Sequence, residues 1–343
     1  MMESALPYIW AGLLTLAVFI YVLLDGFDLG IGILFPFADT DEDRDLMMTS
    51  VAPVWDGNET WLVLGGGGLF AAFPKAYAAL MPSVYMPIGF MLIALIFRGV
   101  AFEFRFSSKG VLRRVWDQAF HWGSVVAAFS QGLVLGAMVQ GIVLENGHFA
   151  GGMFDWLTPF SFFAGCALVW GYVLLGSTWL IIKTEGSLLI WSRRMAKVAM
   201  VVMIACLIIV SITVPVLDVA AAERWGIDYP LIDWSRLLPL VPIPVITAVC
   251  CWLLIRSILD HKTLYTPFIY SISIFALGYA GLLISFYPYI VPYSLTIEQA
   301  AAAPNAQGLL LIGAVFLLPV ILGYTAYVYW IFRGKVDVHA GYH

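Results

Sequence analysis

Apolar residues fill nine long blocks of the chain, approximately 8–36, 51–73, 77–98, 120–144, 158–182, 197–217, 237–258, 266–290 and 308–332, and polar residues gather mostly in the gaps. A helix rises about 1.5 Å per residue, so roughly 20 residues cover the hydrocarbon core of a bilayer. The pattern predicts an all-α, polytopic membrane protein with about nine transmembrane helices in one integral domain, 1–343. The first block has residues to spare and is expected to tilt or protrude. The second is the least uniform, because Asp56, Asn58, Glu59 and the run Gly65 to Gly68 fall inside it. Were it not to cross, every later span would reverse its sense. The longest exposed segments are expected at 99–119, 218–236 and 291–307.

Composition turns the pattern into an exclusion. Apolar residues make up 62% of the chain and charged residues 11%, against roughly 45–50% and about 25% in soluble domains. An ordinary soluble globule is ruled out, and any chemistry must take place in or at a membrane. Basic residues then set the sense of insertion, because cytoplasmic loops retain Lys and Arg. With the N-terminus outside, Arg44, Arg98, Arg105, Lys109, Arg113, Arg114, Lys183, Arg193, Arg194, Lys197, Arg256, Lys262, Arg333 and Lys335 fall inside; Lys75, Arg224 and Arg236 fall outside. Fourteen against three predicts an outer N-terminus and a cytoplasmic C-terminus. The net charge of −5 is divided between two faces and points to no nucleic-acid partner. The opening MMESALPYIW carries Glu3 and no basic residue, so block one reads as a permanent span rather than a cleaved leader.

Candidate redox ligands are few. Cys166, Cys206, Cys250 and Cys251 all lie in expected spans, where a thiol behaves as a small hydrophobe, and they form no CxxC motif. Membrane-embedded haems take axial His, Met or Cys ligands from facing helices. His121, His148, His261, His339 and His343 all fall at span ends, in loops or in the tail. His121, at the inner start of block four, is the one histidine kept as a candidate ligand; no metal site is expected otherwise.

The buried carboxylates are more informative. In YVLLDGFDLG, Asp25 and Asp28 stand three apart and share a helical face, and Asp56 and Glu59 in VWDGNETWLV repeat that spacing. Block one runs inward and block two outward, which puts all four in the inner half of the membrane, where they could face one another. A charged Asp at a helix centre costs about 2.5–3.5 kcal/mol even on the insertion scale and usually faces a bundle interior or water. Such a cluster tends to share protons and suits a relay. The plainer readings are helix-end capping, hydrogen bonds from Asn58 and the tryptophans, or pairing with an Arg. Trp55 and Trp61 flank the acids as buried donors or interfacial belt residues. Gly65 to Gly68 implies close approach of another helix, since each glycine costs up to about 1 kcal/mol against alanine. Arg98 is near enough to neutralise an acid, but a solvated or lipid-headgroup role is the expectation for Arg98, Glu103 and Arg105. Proline in LLPLVPIPV is expected to start or kink block seven, and PNAQG to lead into the last helix.

Two motifs carry a resemblance. LLDGFDLGIGILFPF (23–37) followed by APVWDGNETWLVLGGGGLFAAFPKAYA (52–78) resembles subunit II of the bacterial cytochrome bd quinol oxidases, and the likeness extends through span number and sense to LLPVILGYTAYVYW (317–330). The GGGG run and short loops look like the cyanide-insensitive branch. The resemblance implies two four-helix bundles, about 8–144 and 158–290, with a peripheral helix at 308–332. It implies a bacterial cytoplasmic (inner) membrane and a partner, subunit I, that holds the quinol site and haems b and d (or b only), while subunit II holds none. A small single-helix subunit is a further implied partner, beside lipid and quinol. The complex would oxidise quinol at the outer face and reduce oxygen to water with cytoplasmic protons.

Residue by residue, the resemblance puts Asp56 of the WDGN motif on a proton path toward the oxygen-reducing haem of subunit I. Asp25, Asp28 and Glu59 accompany it, Glu59 less directly because some family members carry Gln there. Trp55, Asn58 and Trp61 would line either a structural quinone pocket or packed interior. The chain is thus read as a haem-free, noncatalytic but required subunit of an oxygen-reducing quinol oxidase. Two alternatives stand beside that reading, a self-contained proton-coupled transporter and a purely structural scaffold. The transporter reading suffers because inverted-repeat transporters interrupt helices in both halves, whereas here the polar interruption lies in the first two blocks alone.

Overall fold

The computed structural model describes residues 2–217, 219–228 and 231–336. Helix α1 (Met2–Leu34) ends in one 3-10 turn, Phe35–Phe37, before the short α2 (Asp41–Thr49). The long elements that follow are α3 (Trp55–Ala72), α4 (Pro74–Ser107), α5 (Gly110–Gln140), α6 (Pro159–Lys183) and α7 (Gly186–Leu217). Short α8 (Val219–Arg224) and α9 (Trp234–Leu237) lead to α10 (Pro242–Leu259) and α11 (Thr266–Phe286), and short α12 (Ile297–Ala300) precedes α13 (Pro304–Ile331). Three two-stranded hairpins occupy gaps between helices. Pro242 and Pro304 open their helices, as the sequence suggests, since proline's missing N–H is unneeded there.

Among the described residues eight helices are long and apolar enough to cross a membrane: α1, α4, α5, α6, α7, α10, α11 and α13. The chain is all-α, as expected. Helix α3 falls outside that set because Asp56, Asn58 and Glu59 crowd its first two turns. It nevertheless runs antiparallel along α1: Asn58 meets Leu24 and Asp28, Gly65 meets Val18 and Gly68 meets Leu14. Its 18 residues span about 27 Å at a helical rise.

Segment 99–119 corrects the sequence reading. It is helical almost throughout, because α4 continues to Ser107 and α5 begins at Gly110, while Glu103, Phe104, Val111 and Arg114 are exposed as expected. Ion pairs of buried Arg105 with Asp45 at 2.6 Å and Asp117 at 2.5 Å neutralise the charges that suggested a loop. His121 consequently lies three turns inside α5 rather than at its start. Helix α4 bends at Val84, whose dihedrals leave the helical region between Pro82 and Pro87. Pro87 cannot donate to the Ser83 carbonyl and its ring crowds it, which breaks the ladder there.

Glycine sets the closest helix crossings. A methyl group at Gly30 of α1 would overlap the Tyr172 carbonyl of α6, and one at Gly176 would overlap the Gly30 backbone. Gly132 of α5 meets the backbone of Gly165 of α6 in the same way. Small residues let backbones touch where no hydrophobic force drives helices together. The four-glycine run behaves differently from its expectation: Gly65 and Gly68 receive side chains of α1, not its backbone, and Gly66 and Gly67 face open space. Three-residue spacing puts the first two on one face and the others off it.

Candidate functional site

The site is built where α1, α3 and α4 meet. Helical spacing turns Asp25 and Asp28 of α1 into the interior, where both are fully buried. Arg98 of α4, also fully buried, donates through Nη1 to Asp25 Oδ1 at 2.6 Å and through Nη2 to Glu59 Oε1 of α3. One planar guanidinium thereby joins three helices, a geometry suited to arginine's fixed fork of donors. The expectation that Arg98 would be solvated or at a headgroup is corrected. A desolvated cation needs opposite charge, and two acids supply it. Glu103, by contrast, is exposed as expected.

Asp28 sits in its own arrangement. Asn58 Nδ2 donates to Asp28 Oδ2 at 2.7 Å, and the Tyr329 hydroxyl of α13 donates to Asn58 Oδ1 at 2.9 Å. This chain ties the last helix to the first two. Asp28 Oδ1 and Asp25 Oδ2 have no hydrogen-bond partner among the described residues. Asp25 and Glu59 therefore share one guanidinium, while Asp28 is held by the Asn58 amide. So much excess negative charge in an apolar interior is unfavourable unless a proton or water answers it.

A second polar arm continues deeper along α1. Gln131 of α5 donates from Nε2 to the Tyr21 hydroxyl at 2.8 Å and accepts from the Tyr172 hydroxyl at 2.6 Å. Tyr21 lies one turn from Asp25 on the same face. Sequence reasoning did not find Tyr21, Gln131, Tyr172 or Tyr329 as members. Only a polar residue set inside an apolar block could have flagged them, and tyrosine is too common at membrane interfaces to stand out.

Not all expected site residues converge. Asp56 is exposed at the first turn of α3, and its carboxylate makes no hydrogen bond or ion pair among the described residues. Glu59, one turn further in, keeps 26% of its side chain exposed. The four acids are thus graded from surface to interior rather than gathered around one point. Trp55 stacks on Phe102 of α4, with centroids 4.9 Å apart and planes at 3°. Trp61 packs against Ala17 and Tyr21 of α1, and its indole N–H finds no partner among the described residues. Trp55, Asn58 and Trp61 therefore have separate neighbours.

His121 is buried, with Nδ1 3.1 Å from the Gly32 carbonyl. Phe37 and Trp122 stand edge-on to its ring. His148 lies in a hairpin and His261 in the turn after α10, while His339 and His343 are outside the described residues.

The two ends of the stack differ in charge. Arg105, Arg113, Lys183 and Lys335 lie at the end where α4, α6 and α13 finish, whereas Lys75 reaches the Gln299 carbonyl at the other. Arg224, near Ser285, Tyr289 and Tyr293, also lies at that second end.

The family described as cytochrome bd terminal oxidase subunit II matches residues 6–332. The chain is 29% identical over 367 residues to the cytochrome bd-I ubiquinol oxidase subunit 2 of Escherichia coli K12, covering 97% of this chain and 96% of that one. It is 27% identical over 343 residues to the cytochrome bd ubiquinol oxidase subunit 2 of Bacillus subtilis strain 168, covering 97% and 98%. In fold it is similar to a chain of the bd oxidase from Geobacillus thermodenitrificans, with a TM-score of 0.74 at 17% identity over 96% of this chain and 98% of that chain.

Proposed function

The chain belongs to the cytochrome bd terminal oxidase subunit II family, and on that footing we propose that it is a haem-free subunit that feeds protons to a haem-bearing partner, subunit I. The graded burial of its acids carries this reading: exposed Asp56, mostly covered Glu59, then buried Asp25 and Asp28. Protons would enter at Asp56, pass to Glu59 and reach the interior pair, with Arg98 holding Asp25 and Glu59 in register. Intramembrane carboxylates of this kind mark proton relays. Oxygen reduction consumes protons, and the partner's haems supply the electron chemistry.

Orientation belongs to the same proposal. The basic end, with Arg105 and Lys335, faces the cytoplasm of a bacterial inner membrane, and the N-terminus faces outward. The division into two bundles and a last helix is part of the same proposal: α4 packs on α5 and α10 on α11, α6 forms the seam by packing on α1 and α5 as well as on α7, and α13 lies against α1 and α3. Trp55 and Trp61 serve as packing residues rather than quinone ligands, since each already has its own neighbours. The binding of His121 Nδ1 to a backbone carbonyl favours a structural part for that ring.

The scaffold reading stays in play on one observation: Arg98 ties α1, α3 and α4 together through its two acids, which a purely structural core would also need. A transporter reading has no such support in a family of oxidase subunits. The first test is a reduced-minus-oxidised visible spectrum of the purified chain, produced with and without its neighbouring genes. Haem bands only when a partner copurifies support the proposal. Haem bands in the chain alone, or no partner in either case, contradict it.

A further inference from the structure

A cavity of about 260 Å³ opens at the basic end, between the last turn of α6, the turn that joins α2 to α3 and the end of α13. Trp179, Tyr329, Lys183, Lys335, Thr49 and Ser50 are among its lining residues, and among the described residues no acid lines it. Lys183 is buried with only 5% of its surface exposed. Its ammonium donates to the Phe332 and Gly334 carbonyls, and Lys335 donates to those of Ile181 and Thr184. Each lysine thus caps the other's helix, a favourable use of a cation at a helix C-terminus. That accounts for two of the three N–H donors on each ammonium. Two positive charges then share a cavity whose described walls carry no carboxylate. Glu185 and Arg193 act on Lys335 from outside it, with opposite sign. The Thr49 hydroxyl makes no hydrogen bond among the described residues.

We propose that this cavity binds a phosphate-bearing anion, with the two free ammonium donors and the Thr49 hydroxyl facing it. The volume lies below the roughly 300–1,000 Å³ of pockets that hold drug-sized ligands, which fits a headgroup and not a large ring system. Its walls grade from the Trp179 ring, over which Lys183 sits at 5.0 Å, to the lysines at the rim. An amphiphilic cavity with basic residues between transmembrane helices suits an acidic phospholipid. The site is separate from the acid cluster, with Tyr329 the one residue common to both.

Native mass spectrometry of the complex as isolated, stripped of lipid and titrated with phosphatidylglycerol or phosphatidylcholine, tests the site. The expected result is one added phosphatidylglycerol, not matched by phosphatidylcholine. Lys335→Gln should weaken it by about fivefold, the weight of one basic residue against an anionic lipid, while Arg333→Gln leaves it unchanged. Displacement by millimolar inorganic phosphate would support the same site with a soluble source, and retention would assign the lipid. Equal uptake of the two lipids by the wild-type complex, together with no bound phosphate, overturns the proposal, and that arm stands even if Lys335→Gln fails to assemble. Equal loss in Arg333→Gln and Lys335→Gln overturns it as well.

Discussion

Arg98 of α4 and Asp25 of α1 are joined at 2.6 Å with side-chain exposures of 0% and 1%, and the same guanidinium reaches Glu59 of α3. Removing the cation would leave two acids in the interior without their counter-charge. Arg98→Met is expected to lower stability by about 3–5 kcal/mol, the usual result of breaking a buried pair from one side. Arg98→Lys should recover only part, because a single ammonium lacks the fork that spans both carboxylates. Thermal unfolding of the purified complex measures both.

The glycines separate into two kinds that a substitution series should distinguish. Gly30→Ala places a methyl on the Tyr172 carbonyl, and the expected outcome is failure of α1 and α6 to pack, read as loss of assembled complex. Gly66→Ala meets nothing within reach. It should assemble normally and gain up to about 1 kcal/mol from helix propensity.

The Tyr329–Asn58–Asp28 chain predicts non-additive losses. Tyr329→Phe removes one hydrogen bond and should cost about 1 kcal/mol. Asn58→Leu should cost more, about 3 kcal/mol, because it strips Asp28 of its partner as well. The double variant should fall short of the sum, as residues in one network do. Melting temperatures of the four proteins complete the cycle.

Much of this was legible in the sequence. Long apolar blocks announced the helices, and the i, i+3 acids in YVLLDGFDLG announced the interior face of α1. The prolines of 237–245 and 304–308 marked true helix starts. What the sequence concealed was partnership between distant segments. Arg98 and Arg105 look alike to a charge count, as residues at the end of an apolar block. Only the folded chain shows each fully buried against acids from two other segments. Those same ion pairs hid the length of α4 and α5, because a neutralised charge reads as a loop when its partner lies 60 residues away. Asp56 is exposed at the first turn of α3, as its place nearest an aqueous entrance suggests, but it does not join the buried acids that the shared spacing allowed it to face.

That exposure makes Asp56 the cleanest probe of the proton path, since its carboxylate makes no hydrogen bond or ion pair among the described residues. The decisive measurement is quinol-driven oxygen uptake by the purified complex carrying Asp56→Asn, alongside its visible haem spectrum and melting temperature. The account predicts a fall of at least about tenfold, consistent with loss of one proton-transfer group, with haem content and melting unchanged. Wild-type uptake in that variant would contradict a proton path through this chain and leave the scaffold role in its place.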